Sequence, residues 1–168
     1  MSSASYVQTG KKPYTLSGLG LAMMMKEVLK KRAQFRFIAL GLSMSPFIRD
    51  GDVLTISAIA SPLCVGDVVA FISTDRTNLV VHRIVQLSSA GYCIKGDNNR
   101  RADGWIEASS ILGRVVRVEH RDRQVRGGLG VERCLIAWLS YRGLLSPITR
   151  LLWGKIKRCN EIMMNKNN

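Results

Sequence analysis

Between residues 35 and 118 the chain is cut into short apolar, β-branched runs, and nothing else in it constrains the fold as tightly. The runs cover residues 35–40, 53–58, 67–73, 79–86, 91–95 and 111–118, with glycine, aspartate or proline between them. Runs this short are poor helices, and β-branched side chains keep their preferred rotamers on a pleated surface. Gly51-Asp52 and Gly66-Asp67 each stand directly before an apolar run. Glycine supplies the positive φ such corners need. The pattern predicts a mainly β, mostly antiparallel domain over residues 35–120.

Helical signals are confined to the flanks. Ser17 is placed to cap a helix over residues 18–32, with Leu19, Leu21, Met24, Met25 and Leu29 as an imperfect apolar face. Lys26, Lys30, Lys31 and Arg32 crowd its end, where cations suit the helix dipole. Residues 17–34 are therefore one element, and residues 1–16, polar with Gly10 and Pro13, are expected to be a disordered lead-in. Residues 121–130 are polar and Gly-rich and read as a linker. A basic, amphipathic helical tail follows over 131–168: Val131, Leu135, Trp138 and Leu139 share one helical face. Ser146-Pro147 opens a second helix, whose apolar face is Ile148, Leu151, Leu152 and Ile156. Beyond Met164 the chain is expected to fray.

Composition removes several function classes. A chain of 168 residues, 46% hydrophobic, has enough apolar mass for one compact domain with a core. No apolar stretch approaches the roughly 18 residues of a membrane span, and the start lacks the apolar core of a secretory signal. The four cysteines are scattered without a Cys-Xaa-Xaa-Cys pair, and there are two histidines, so no metal and no cofactor are expected, and the thiols read as reduced. The net charge of +13 is uneven. Residues 1–40 hold 7 basic and 1 acidic side chains, residues 41–113 hold 6 and 7, and residues 114–168 hold 12 and 4. Basic flanks around a neutral middle suit nucleic acid or an anionic membrane surface as well as plain solvation. The expected location is cytoplasmic, with peripheral membrane contact as an option.

Three segments carry chemistry. The first, residues 41–52, sets Ser43 at the end of a β run beside the turn of Pro46, with Ser45 as an alternative hydroxyl. The second puts His82 inside the apolar run 80–85, where an imidazole must find partners for its ring nitrogens. His120 lies in a charged stretch that reads as a solvated strand end, so His82 is the natural general base. The third, residues 95–103, supplies Asp97, Asp103 and the amides Asn98 and Asn99; either aspartate could orient the imidazole.

Taken together, Ser43 to Pro46 with Gly51-Asp52, then Gly66 to Val69, Val81 to Arg83, and Lys95 to Asn99 resemble, in order, the boxes of the signal peptidase I and SOS-repressor-cleavage superfamily. The resemblance spans about residues 35–118 and is closest to the histidine type, since His82 stands where many members carry lysine. It implies a coiled antiparallel sheet or partly open barrel with a shallow cleft, Ser43 as nucleophile and His82 as base. In that type the acid lies six residues past the Gly-Asp aspartate, which selects Asp103; Asp97, Asn98, Gly41 and Met44 then stand behind or beside the reacting groups. Many relatives also carry a serine hydroxyl for the oxyanion where this chain has Gly41, and true signal peptidases have a membrane anchor where this chain has a helix without spanning length. The layout is similar to small relatives found with bacterial peptide-modification systems.

Two function classes emerge. One is a serine endopeptidase that trims a leader or prepeptide through an acyl-enzyme. The other is a non-catalytic module that holds an extended peptide on the same cleft by strand addition. The basic C-terminal helices, with Trp138, Trp153, Lys155, Lys157 and Arg158, offer an anionic bilayer a further contact. The basic flanks could instead bind nucleic acid, though such a partner is not expected, and a repressor-like regulator is excluded because the 34 residues before Phe35 are too few for a helix-turn-helix domain.

Overall fold

The computed structural model describes residues 5–7, 14–16, 18–73, 78–125 and 127–145. An eight-stranded antiparallel sheet dominates it. Its strands are β3 (Phe35–Ile38), β4 (Val53–Ser57), β5 (Val68–Ile72), β6 (Leu79–Ser88), β7 (Gly91–Lys95), β8 (Gly104–Ile106), β9 (Ile111–His120) and β10 (Arg123–Gln124). The order across the sheet is β3-β4-β9-β5-β6-β7-β8, with β10 on the far end of β9. The two end strands do not pair, so the sheet is not closed into a barrel. Register shifts at Thr55/Ile56, Ala70/Phe71 and Ile84/Gln86 interrupt the ladders. Such bulges bend a strand and increase its twist, which lets one sheet wrap around its own core.

Two strand edges lack a ladder partner among the described residues. β5 pairs with β6 from Leu79 to Arg83, whereas β7 joins β6 only from Arg83 onward. The stretch from Leu79 to His82 therefore has a strand on one side only, among the described residues. β3, at the end of the order, likewise has only β4 as a ladder partner.

Helix α1 (Gly18–Lys30) lies on the sheet through Leu21, Ala22, Met25 and Leu29, spaced to share one face. Leu19 and Met24, expected on that face, point outward. The core made with Phe35, Phe37, Leu54, Ile56 and Val115 sets the helix rotation. Truncating the fully buried Leu21 to alanine costs about 2–5 kcal/mol, against about 1 kcal/mol for a lost cap, so packing rather than capping holds this helix. It ends two residues sooner than the charge pattern suggests, because Arg32 turns to a positive φ of 58°. Ser17 itself lies outside the described residues.

Three expectations need correction. The lead-in is not structureless: β1 (Ser5–Val7) and β2 (Tyr14–Leu16) pair antiparallel, using a local run of β-favouring residues on each side. The Gly-rich stretch after β9 is not a free linker, since β10 returns along β9 and Val125 N–H donates to Val118 O. Helix α2 (Arg133–Tyr141) buries Ile136, Ala137 and Ser140, while Val131, Leu135 and Trp138 face outward. Two polar anchors set that rotation: Arg133 pairs with Asp67 at 2.8 Å, and the Lys95 ammonium donates to the carbonyl and hydroxyl of Ser140. The second tail helix expected from Ser146, with Trp153, Lys155, Lys157 and Arg158, lies outside the described residues.

Candidate active site

The loop between β3 and β4 carries Ser43 and is tied at several points. Ala39 and Asp52 close its base through Ala39 N–H to Asp52 O at 2.8 Å, and Gly51 N–H returns to Ala39 O. Gly41 N–H donates to Asp50 Oδ1 at 2.7 Å, with Gly41 at a φ of +94°. Ser45 N–H closes a turn on Leu42 O, and Ser45-Pro46 is cis. Met44 and Ile48 plug the loop into the core. Ser43 is left half-exposed at the loop surface.

His82 lies on β6, on the stretch that lacks a β7 partner, and its residue exposure is 5%. Both ring nitrogens are occupied: Nε2 stands 2.9 Å from Ser43 Oγ, and Nδ1 stands 2.6 Å from Asp103 Oδ2. The penalty for a histidine in an apolar strand is thus met by hydrogen bonds rather than by solvent. With the Asp103 carboxylate accepting from Nδ1–H, the tautomer leaves Nε2 free to accept the serine proton. Asp103 is reached from β7, whose Ile94 O accepts from Asp103 N–H at 2.9 Å. Its side chain keeps 28% exposure. Ser45 makes no hydrogen bond to the imidazole, whose two nitrogens are already taken by Ser43 and Asp103.

The segment after β7 locks this line. A Cβ on Gly96 would meet His82 Nε2 at 2.9 Å and Ser43 O at 2.8 Å, so only glycine fits there. Asn98 holds the Ser43 loop twice, through its N–H to Ser43 O at 2.7 Å and its side chain to Leu42 O at 3.1 Å. Asp97 makes no hydrogen bond to the imidazole. It is fully buried against the Arg83 guanidinium, with contacts of 2.7–3.2 Å. Arg83 also donates to the carbonyls of Gly66 and Gly128, and its guanidinium lies over the Phe47 ring.

Sequence reasoning misses this role of Arg83. The available signal is an arginine inside an apolar run, which requires a buried acid. Burial pushes the Cys93 thiol up from its ordinary range, and the nearby Asp103 charge adds to that. Burial likewise pushes the Lys95 ammonium down, with Asp97 opposing.

A cleft of about 330 Å³ opens beside Ser43 and His82. Its lining includes Phe37, Ala39, Leu79 to Val81, Met44, Ile48 and Leu54. The open edge of β6 and the end strand β3 thus border the same cleft. Among the described residues no helix is long and apolar enough to cross a membrane, and no cluster of metal-ligating side chains occurs.

No curated protein matches this chain. A family model described as Peptidase S24-like, however, matches residues 4–116, a span that holds the Ser43 loop, β6 and the Asp103 turn. That span is about two thirds of the sequence, and the chain therefore belongs to the Peptidase S24-like family.

Proposed function

We propose that this protein is a serine endopeptidase that cuts a leader or prepeptide bound in extended form, with Ser43 as nucleophile, His82 as general base and Asp103 as the orienting acid. The observation that carries the reading is the continuous hydrogen-bonded line from Asp103 through His82 to Ser43, beside an open cleft. Heavy-atom distances of 2.6 and 2.9 Å lie within the range for proton transfer. Ser43 Oγ attacks the peptide carbonyl while its proton passes to Nε2. The Asp103 carboxylate stabilises the imidazolium so formed. Collapse of the tetrahedral intermediate breaks the C–N bond, Nε2–H protonates the leaving amine, and an acyl-enzyme remains. Water, deprotonated by the same imidazole, then attacks the acyl carbon; the C–Oγ bond breaks, Nε2–H returns the proton to Ser43 Oγ, and the acid product leaves.

The cleft suits a strand-like substrate. Leu79 to Val81 lack a β7 partner, and an extended peptide laid there would complete the ladder through main-chain hydrogen bonds. The oxyanion needs donors. Gly41 brings no hydroxyl and its N–H is committed to Asp50, whereas Ser43 N–H has no acceptor among the described residues and is the available donor. The test is labelling with a fluorophosphonate. Wild-type protein should be modified at Ser43, and Ser43→Ala should not be. Absence of labelling in folded wild-type protein would overturn the reading.

The lost hydroxyl at position 41 favours one alternative, a module that binds an extended peptide without cutting it. That alternative predicts no labelling together with measurable binding of a peptide library to the cleft.

A further inference from the structure

The family match ends at residue 116, yet the segment beyond β9 reaches back to the site. We propose that residues 127–132 are a positioning element for the Ser43–His82–Asp103 line, acting through Arg83. The positioning itself is a matter of geometry, and only its consequence in rate rests on the peptidase reading.

Arg83 is the residue next to His82 on β6 and is fully buried. Its donors are divided among three segments: Asp97 of the turn after β7, Gly66 O before β5, and Gly128 O at 2.7 Å. The guanidinium also covers Phe47, which sits in the Ser43 loop. Gly128 presses on the same ring, since a Cβ there would lie 2.8 Å from Phe47 Cβ, and its φ of +95° suits glycine. One residue thus ties the nucleophile loop, the base strand and the acid turn to the C-terminal segment.

Glu132 fixes that segment in turn. Its Oε1 accepts from Gly128 N–H at 2.6 Å and from Gly130 N–H at 3.1 Å. Backbone N–H donors, its own and those of Gly128 and Gly130, hold the Glu132 carboxyl below the usual carboxylate range. A carboxylate with a depressed folded pKa stabilises the fold above its unfolded pKa. That contribution is lost as pH falls through the folded value. The segment should therefore loosen in acid.

The bidentate pairing and the ring contact leave Arg83 no second arrangement of the same quality, so a shift of Gly128 is passed on to Asp97 and Phe47. A displacement of about 1 Å at a reacting group is enough for losses near 100-fold. Partial loosening should then reduce the rate by about tenfold.

The test compares Glu132→Ala, Glu132→Gln and Gly128→Ala in the full chain, with two readouts. The first is the fluorophosphonate labelling rate of Ser43, expected to fall about tenfold in Glu132→Ala and Gly128→Ala and to recover in large part in Glu132→Gln, which keeps an acceptor. The second is the low-field proton resonance of His82 Nδ1–H, assigned by its loss in Asp103→Asn, expected to shift in the same two variants. Ser140→Ala, which loosens α2 on Lys95 without touching Arg83, should lower the melting temperature and leave both readouts in place. Folded Glu132→Ala and Gly128→Ala proteins with unchanged resonance and unchanged labelling would overturn the proposal. If wild-type protein fails to label but the resonance shifts as expected, the peptidase reading fails and the positioning role stands.

Discussion

The molecule contains two histidine–aspartate pairs of the same length, His82–Asp103 and His120–Asp52, each with Nδ1 2.6 Å from a carboxylate oxygen. Their burial is reversed. The His82 ring is 7% exposed and the Asp103 side chain 28%, whereas the His120 ring is 37% exposed and Asp52 only 1%. The second ring nitrogen differs as well: that of His82 meets Ser43, and that of His120 has no partner among the described residues. Asp52 uses its other oxygen to accept Arg49 N–H at 2.8 Å, which staples the end of the Ser43 loop. One pair thus offers a polarised imidazole to a hydroxyl at a cleft. The other satisfies a buried carboxylate at a loop base. A His–Asp distance alone decides nothing; the third group and the buried partner do.

The largest effects should separate the two pairs outright. Ser43→Ala or His82→Ala is expected to lower labelling or cleavage by about 10⁴-fold or more, because members of such a unit fail together. Retention of a tenth of the wild-type rate in either variant would erase the distinction. Asp103→Asn should lower the rate by about 10³–10⁴-fold through the wrong tautomer, with the fold intact by circular dichroism. Asp52→Asn should leave the labelling rate within about threefold and instead lower stability by about 1–3 kcal/mol in urea, since its buried contacts to Arg49 N–H and His120 are disturbed. A swap of those two outcomes would reverse the assignment of the pairs.

A sharper contrast comes from glycine. Gly96→Ala would push a methyl against His82 Nε2 and Ser43 O, both under 3.0 Å from the added atom, with Asn99 closing the third side. The Ser43–His82 hydrogen bond should open, and labelling should fall by about 100-fold. Unchanged labelling in that variant would mean that the hydrogen bond is not needed for the reaction.

Much of this is legible in the residues, and the part that is not has a common cause. Short β-branched runs broken by Gly-Asp and Pro point to the antiparallel sheet, because run length and turn chemistry are local properties. The three residues singled out by box order, Ser43, His82 and Asp103, lie together, and Asp97, six positions earlier, turns to Arg83 instead. The short strand β8 escapes sequence reading because Gly104-Trp105-Ile106 is too brief to show alternation. The inward face of α2 differs from expectation because hydrophobicity alone favours Leu135 and Trp138. Its rotation is instead fixed by Arg133 on Asp67 and Ser140 on Lys95, partners 66 and 45 positions away. The Asp52–His120 staple is equally hidden, 68 residues apart in sequence. Pairings of buried polar groups over such separations leave no periodic trace.

The smallest predicted effect tests the comparison from its other side. His120→Ala removes one of two partners from a carboxylate that is almost wholly buried, and the Arg49 N–H remains. An under-satisfied buried acceptor costs about 1–3 kcal/mol, while the Ser43 loop keeps its ties at Gly41, Ala39 and Asn98. Stability should therefore drop, and the Ser43 labelling rate should stay within about twofold. Combining His120→Ala with Asp52→Asn should be non-additive by about 0.5–3 kcal/mol, as expected for side chains in direct contact. The same His120→Ala change combined with Asp103→Asn should be additive in stability, since those side chains share no contact. A tenfold loss of labelling in His120→Ala at unchanged stability would place this second imidazole in the chemistry and end the separation of the two pairs.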